Sequence, residues 1–103
     1  LYHEVGLFLG SALIDLGRYE AARETFAPAI AKQRLLDLIG PENEARYVYE
    51  YARTLHRLGE EELLAPVLDR AIELCTEIFG PEDVRTKLAL ELLPQQHATD
   101  SSR

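Results

Sequence analysis

Apolar positions along the chain recur every three to four residues and never alternate, so helices are predicted and strands are not. A first helix over about Tyr2 to Leu16 places Leu9, Leu13 and Leu16 on one stripe and stops at Gly17. Gly6 and Gly10 each cost a helix about 1 kcal/mol relative to alanine, which suits them to close approach by a neighbouring helix. A second helix, about Tyr19 to Ile39, alternates large with small in Tyr19, Ala22, Phe26, Ala29 and Ile30. Gly40-Pro41 then ends one helix and starts another.

The third helix, about Glu42 to Leu58, carries the core stripe Val48, Tyr51, Ala52, Leu55 and Leu58. After a turn at Gly59, the fourth helix, about Glu60 to Phe79, turns Leu64, Leu68, Ala71, Ile72, Cys75 and Phe79 inward. A shorter fifth helix is predicted over Glu82 to Leu93, stopped by Pro94, with a fraying polar tail over 94–103. Pro28 and Pro66 fall inside helical patterns, where kinks rather than breaks are expected.

The pattern is duplicated. Leu13, Leu16, Gly17, Ala29 and Ile30 return 42 positions later as Leu55, Leu58, Gly59, Ala71 and Ile72. Ile39-Gly40-Pro41-Glu42 returns as Phe79-Gly80-Pro81-Glu82 at a spacing of 40. A period in this range is the mark of a helical repeat array. The organisation expected is therefore all-α: pairs over about 2–39 and 42–79 and a capping helix over about 82–93, one domain over 1–93.

Composition narrows the function classes. The 103 residues carry 18 acids and 11 bases, a net charge of −7 that repels nucleic-acid backbones and anionic membrane surfaces. One cysteine allows no internal disulfide, and the longest uncharged apolar run, Leu7 to Ile14, is far short of a membrane span. Cytoplasmic residence is the expectation. His3, His56 and His97 have no acid or cysteine at ligand spacing, Cys75 lies on an apolar stripe, and no glycine-rich phosphate loop is present. The sequence thus predicts no catalytic site, metal or cofactor. Carboxylates such as Glu42, Glu44, Glu60, Glu61, Glu62, Glu82 and Asp83 fall in first turns, where they oppose the helix dipole.

The repeat resembles the tetratricopeptide repeat (TPR). The resemblance is carried by Leu9-Gly10, Leu13, Gly17, Tyr19, Ala22, Phe26 and Ala29-Ile30, and again by Tyr51-Ala52, Leu55, Gly59, Leu68 and Ala71-Ile72. Leu64 and Glu61 stand where the family prefers alanine and tyrosine. The long period, Pro66 and the Gly80-Pro81-Glu82 ending are similar to the kinesin light chain subtype, although its asparagine pair is absent near Tyr49-Glu50. The resemblance implies antiparallel helix pairs stacked as a right-handed superhelix, and a non-catalytic scaffold whose concave groove is lined by the first helix of each pair.

On that layout the third helix offers Arg46, Tyr49, Arg53, His56 and Arg57, and the first offers Glu4, Leu7, Ser11, Ile14 and Asp15. An acidic chain gathers bases on one wall, which suits a protein or peptide segment carrying acidic side chains. The expected partner-binding residues are therefore Arg46, Tyr49, Arg53, His56, Arg57, Leu7, Ser11 and Ile14. The competing reading of the stripe is a solvated ion-pair face, with Glu50, Asp15 or Glu4 meeting the arginines. The family's carboxylate clamp for chaperone tails is not implied, because Leu7, Ser11 and Glu50 stand where it uses lysine and asparagine. The alternative function is a structural spacer or self-association segment of a larger regulatory TPR protein, docking onto further repeats or a second copy.

Overall fold

The computed structural model describes residues 2–30 and 37–93, without the side chains of residues 2–8 and Ala29. These residues form helices and, among themselves, no strand. The helices are α1 (Tyr2–Asp15), α2 (Tyr19–Ile30), α3 (Pro41–Leu58), α4 (Glu61–Phe79) and α5 (Val84–Leu90); residues 37–39 are also helical.

The turns repeat as the sequence does. After α1, the Gly17 N–H donates to Ile14 O at 2.9 Å and the Arg18 N–H to Leu13 O at 2.8 Å. After α3, the Gly59 N–H donates to His56 O at 3.2 Å and the Glu60 N–H to Leu55 O at 3.0 Å, the same bonds 42 residues on. Both closures need a left-handed residue, and Gly17 and Gly59 supply it at φ 79° and 73°. The bends at Gly40 and Gly80 also match, at φ 91°, ψ 163° and φ 98°, ψ 155°.

Helix starts differ. Pro41 occupies the first turn of α3, where its missing N–H leaves no bond unmade. Pro81 instead lies in a turn, and α5 starts only after Asp83, whose carboxylate accepts the Arg85 N–H at 2.8 Å. The fifth helix therefore covers Val84–Leu90 rather than 82–93. α2 passes through Pro28 to Ile30 and α4 passes through Pro66. The expected continuation of α2 to Ile39 falls partly on residues 31–36, and the polar tail on 94–103, outside the described residues.

Packing proceeds hairpin by hairpin. α1 meets α2 where Gly10 faces the Phe26 ring so closely that a Cβ would lie 2.2 Å from it. α2 meets α3 through Phe26 and Tyr47, edge to face with centroids 6.0 Å apart, and reaches the turn after α3 through Arg23 Nη1 to Glu60 Oε2 at 2.9 Å. α3 and α4 share a cluster of Ala45, Val48, Ala52, Leu55, Leu64, Leu68, Ala71, Leu74 and Cys75. α5 closes on α4, with the Arg85 guanidinium 3.6 Å from the Phe79 ring centroid and the Thr86 hydroxyl donating to Gly80 O at 2.7 Å. Ser11 meets Glu50 while Asp15 meets Arg53, so the contacts advance in one sense and α1 and α3 run in the same direction.

The core departs from the predicted stripes on two helices. Leu9 and Leu16 of α1 are 51% and 72% exposed and Leu13 is half-buried, while Gly10 and Ile14 are buried instead. α1 is apolar on most sides, so periodicity does not choose its inner face; the approach of Phe26 to Gly10 does. On α3, Glu44, Ala45, Tyr47 and Thr54 join the buried set, because this helix is covered by α2 on one side and α4 on the other. Tyr51, Leu58, Ile72 and Phe79 are half-buried, and Leu74 is fully inside.

Candidate functional site

The solvent side of α3 is where the bases gather. Arg46, Arg53 and Arg57 follow one another at steps of seven and four, which keeps them on one helical line. Arg46, His56 and Arg57 are exposed, whereas Tyr49 and Arg53 are half-buried. Among the described residues no carboxylate pairs with Arg46, His56 or Arg57.

Arg53 is held differently. Its Nη2 lies 3.9 Å from Asp15 Oδ1, and its Nε lies 2.9 Å from Glu50 Oε1. That second approach is off line, because neither atom makes an aligned hydrogen bond. The other oxygen, Glu50 Oε2, accepts from the Ser11 hydroxyl at 2.8 Å. The Ser11–Glu50–Arg53–Asp15 set thus ties α1 to α3, as the ion-pair reading of this stripe anticipates for Arg53. The Arg53–Asp15 pair, whose carboxylate is exposed, contributes about 1 kcal/mol or less.

Tyr49 lies between this line and the α3–α4 core. Burial raises its phenol above the ordinary range; Arg53 opposes that shift, while Glu50, Cys75 and Glu91 add to it. Glu91, at the C-terminal cap of α5, was not among the residues singled out from sequence, and no local pattern points to it. Tertiary packing alone brings it towards Tyr49.

The predicted site residues divide accordingly. Arg46, Tyr49, Arg53, His56 and Arg57 share the α3 wall, and Ser11 reaches it from α1. Ile14 does not: at 5% exposure it belongs to the core with Ala22, Phe26, Ile39 and Tyr47, which removes it from the expected binding residues. Its apolar side chain faces inward because the face of α1 that packs is the one bearing Gly10. The Leu7 and Glu4 side chains lie outside the described residues.

Cys75 is buried, and burial raises its thiol pKa against the pull of Arg85, an environment that disfavours the nucleophilic thiolate. Among the described residues no three His, Cys, Asp or Glu side chains group as a metal site, and no helix is long and apolar enough to cross a membrane. Compared with known proteins, the chain matches no protein-family model, no curated protein and no solved structure.

Proposed function

We propose that this chain is a non-catalytic interaction domain of TPR-like helix pairs that binds a protein segment carrying acidic side chains along the open side of α3. The observation that carries the reading is the exposure of Arg46, His56 and Arg57 with no carboxylate partner among the described residues, in a chain of net charge −7. Guanidinium groups at such a surface donate two parallel N–H bonds to a carboxylate. The matching turns after α1 and α3, and the shared direction of those helices, support the stacked-pair layout in which this side forms a groove.

The spacing sets what fits. Arg46 and Arg57 are eleven residues apart on a helix, an axial rise of about 16 Å. An extended peptide covers that in about five residues, so acids five apart would meet both arginines. Arg53, already held by Glu50 and Asp15, positions the middle of the wall.

A peptide array with acids at varied spacing, read against wild type and an Arg46→Glu, Arg57→Glu double variant, tests this. Charge reversal should weaken captured acidic peptides at least about tenfold, with the loss shrinking as salt rises. Equal binding by both proteins to every captured peptide would overturn the reading.

A further inference from the structure

The 42-residue repeat gives Glu44–Arg57 of α3 their counterparts in Tyr2–Asp15 of α1, and the structure supports that register. The turn bonds correspond, and buried Gly10 and Phe26 correspond to buried Ala52 and Leu68. α3 meets α2 at Tyr47 and Tyr51, and Thr54 and Leu58 continue the same helical line. Tyr47 is buried against Phe26, Tyr51 packs on the same cluster, Thr54 is buried and Leu58 half-buried. Subtracting 42 gives Val5, Leu9, Ala12 and Leu16, all apolar. Yet Leu9, Ala12 and Leu16 are exposed, and nothing among the described residues covers them.

A continuous apolar line on a small acidic protein marks a contact surface. The chain itself exhibits the occupant of the equivalent line: an amphipathic helix that sets Ala22 and Phe26 inward, with Arg23 reaching the turn at Glu60. We infer that Leu9, Ala12 and Leu16 form a docking face for a helix of this kind, an amphipathic helix alternating small and aromatic side chains, seated on α1 as α2 is seated on α3. The inference is independent of the basic wall, which lies on another side of the helix pair.

The repeat also designs the test. Asn43 is the counterpart of Leu1, so fusing a second copy of residues 19–42 directly ahead of Leu1 presents an α2 sequence to α1 in the register that α2 has with α3. The fusion should melt about 5 °C or more above the unextended chain. Leu9→Glu with Leu16→Glu should erase that gain within the fusion. The same pair of substitutions should move the unextended chain by less than about 2 °C, because both side chains already face water. No gain, or a gain that survives the substitutions, would overturn the inference. A sizing series on the unextended chain decides between occupants. A monomer throughout agrees with a helix partner, whereas a dimer that Leu9→Glu and Leu16→Glu dissociate would replace it with a second copy.

Discussion

At the scale of single residues, Gly10 shows how one missing side chain fixes a helix pair. A methyl group there would lie 2.2 to 2.7 Å from three atoms of the Phe26 ring, which is itself fully buried and has nowhere to retreat. Gly10→Ala gains about 1 kcal/mol in helix propensity and meets an overpacking cost of about 1–3 kcal/mol, and at this separation the clash dominates. Urea denaturation should show a net loss of up to about 2 kcal/mol, partly recovered by Phe26→Leu in the same chain. The close-approach role of Gly10 was legible in sequence, because glycine inside a helix has few other uses. Gly6 was read the same way, and its surroundings lie outside the described residues. At the candidate site, the arginines were legible because charge and spacing are properties of one helix. Ile14 and Glu91 were not, because the first depends on which side of α1 faces inward and the second on how α5 returns towards α3.

Whole elements show a second limit of periodicity. The stop signals at Gly17 and Gly59 and the hairpins around them were readable, since a left-handed closure depends on only a few neighbouring residues. The buried faces of α1 and α3 were not fully readable. A nearly all-apolar helix offers no contrast, and a helix covered from two sides buries Thr54 and Glu44 as well as its leucines. Thr54 manages this by donating its hydroxyl to Glu50 O at 2.8 Å, and Glu44 by meeting Arg70 at 3.4 Å. α5 is the element with a built-in pH response. Asp83 caps its first turn, and hydrogen bonds from the Arg85 side chain and backbone N–H hold the carboxyl down at about 2, below its ordinary 3.8. Because the folded value is the lower one, this contribution to stability is complete above pH 3.8 and is lost as pH falls towards about 2. Nuclear magnetic resonance shifts of Val84–Leu90 should therefore move towards unfolded values across that window before the rest of the chain responds. Asp83→Asn keeps the cap acceptor and should remove the pH step from α5.

For the molecule as a whole, the decisive question is how two hairpins become one cooperative unit. The hinge of that coupling is Tyr47, a residue of α3 that is buried in the α1–α2 cluster through its contact with Phe26. Repeat stacks behave as a sum of unit stabilities and interface terms, so weakening one interface can uncouple neighbours without unfolding both. Tyr47→Ala removes a large buried aromatic at a cost of about 3–5 kcal/mol. Among the described residues the remaining ties between the pairs are half-buried Tyr51 and Ile30 and the partly exposed polar pairs Arg23–Glu60, Ser11–Glu50 and Arg53–Asp15. The polar pairs contribute about 1 kcal/mol or less each, and Tyr51 and Ile30, only half-buried, do not fill the space that Tyr47 leaves. Among the described residues the α3–α4 cluster contains none from α1 and only half-buried Ile30 from α2 packed against it, so it should survive. Hydrogen exchange of the Tyr47→Ala chain should show α1 and α2 losing protection while α3 and α4 keep most of theirs, and its thermal melt should broaden or split. Uniform loss of protection in all four helices, with a single sharp transition, would instead mean that the fold is cooperative through contacts other than this interface.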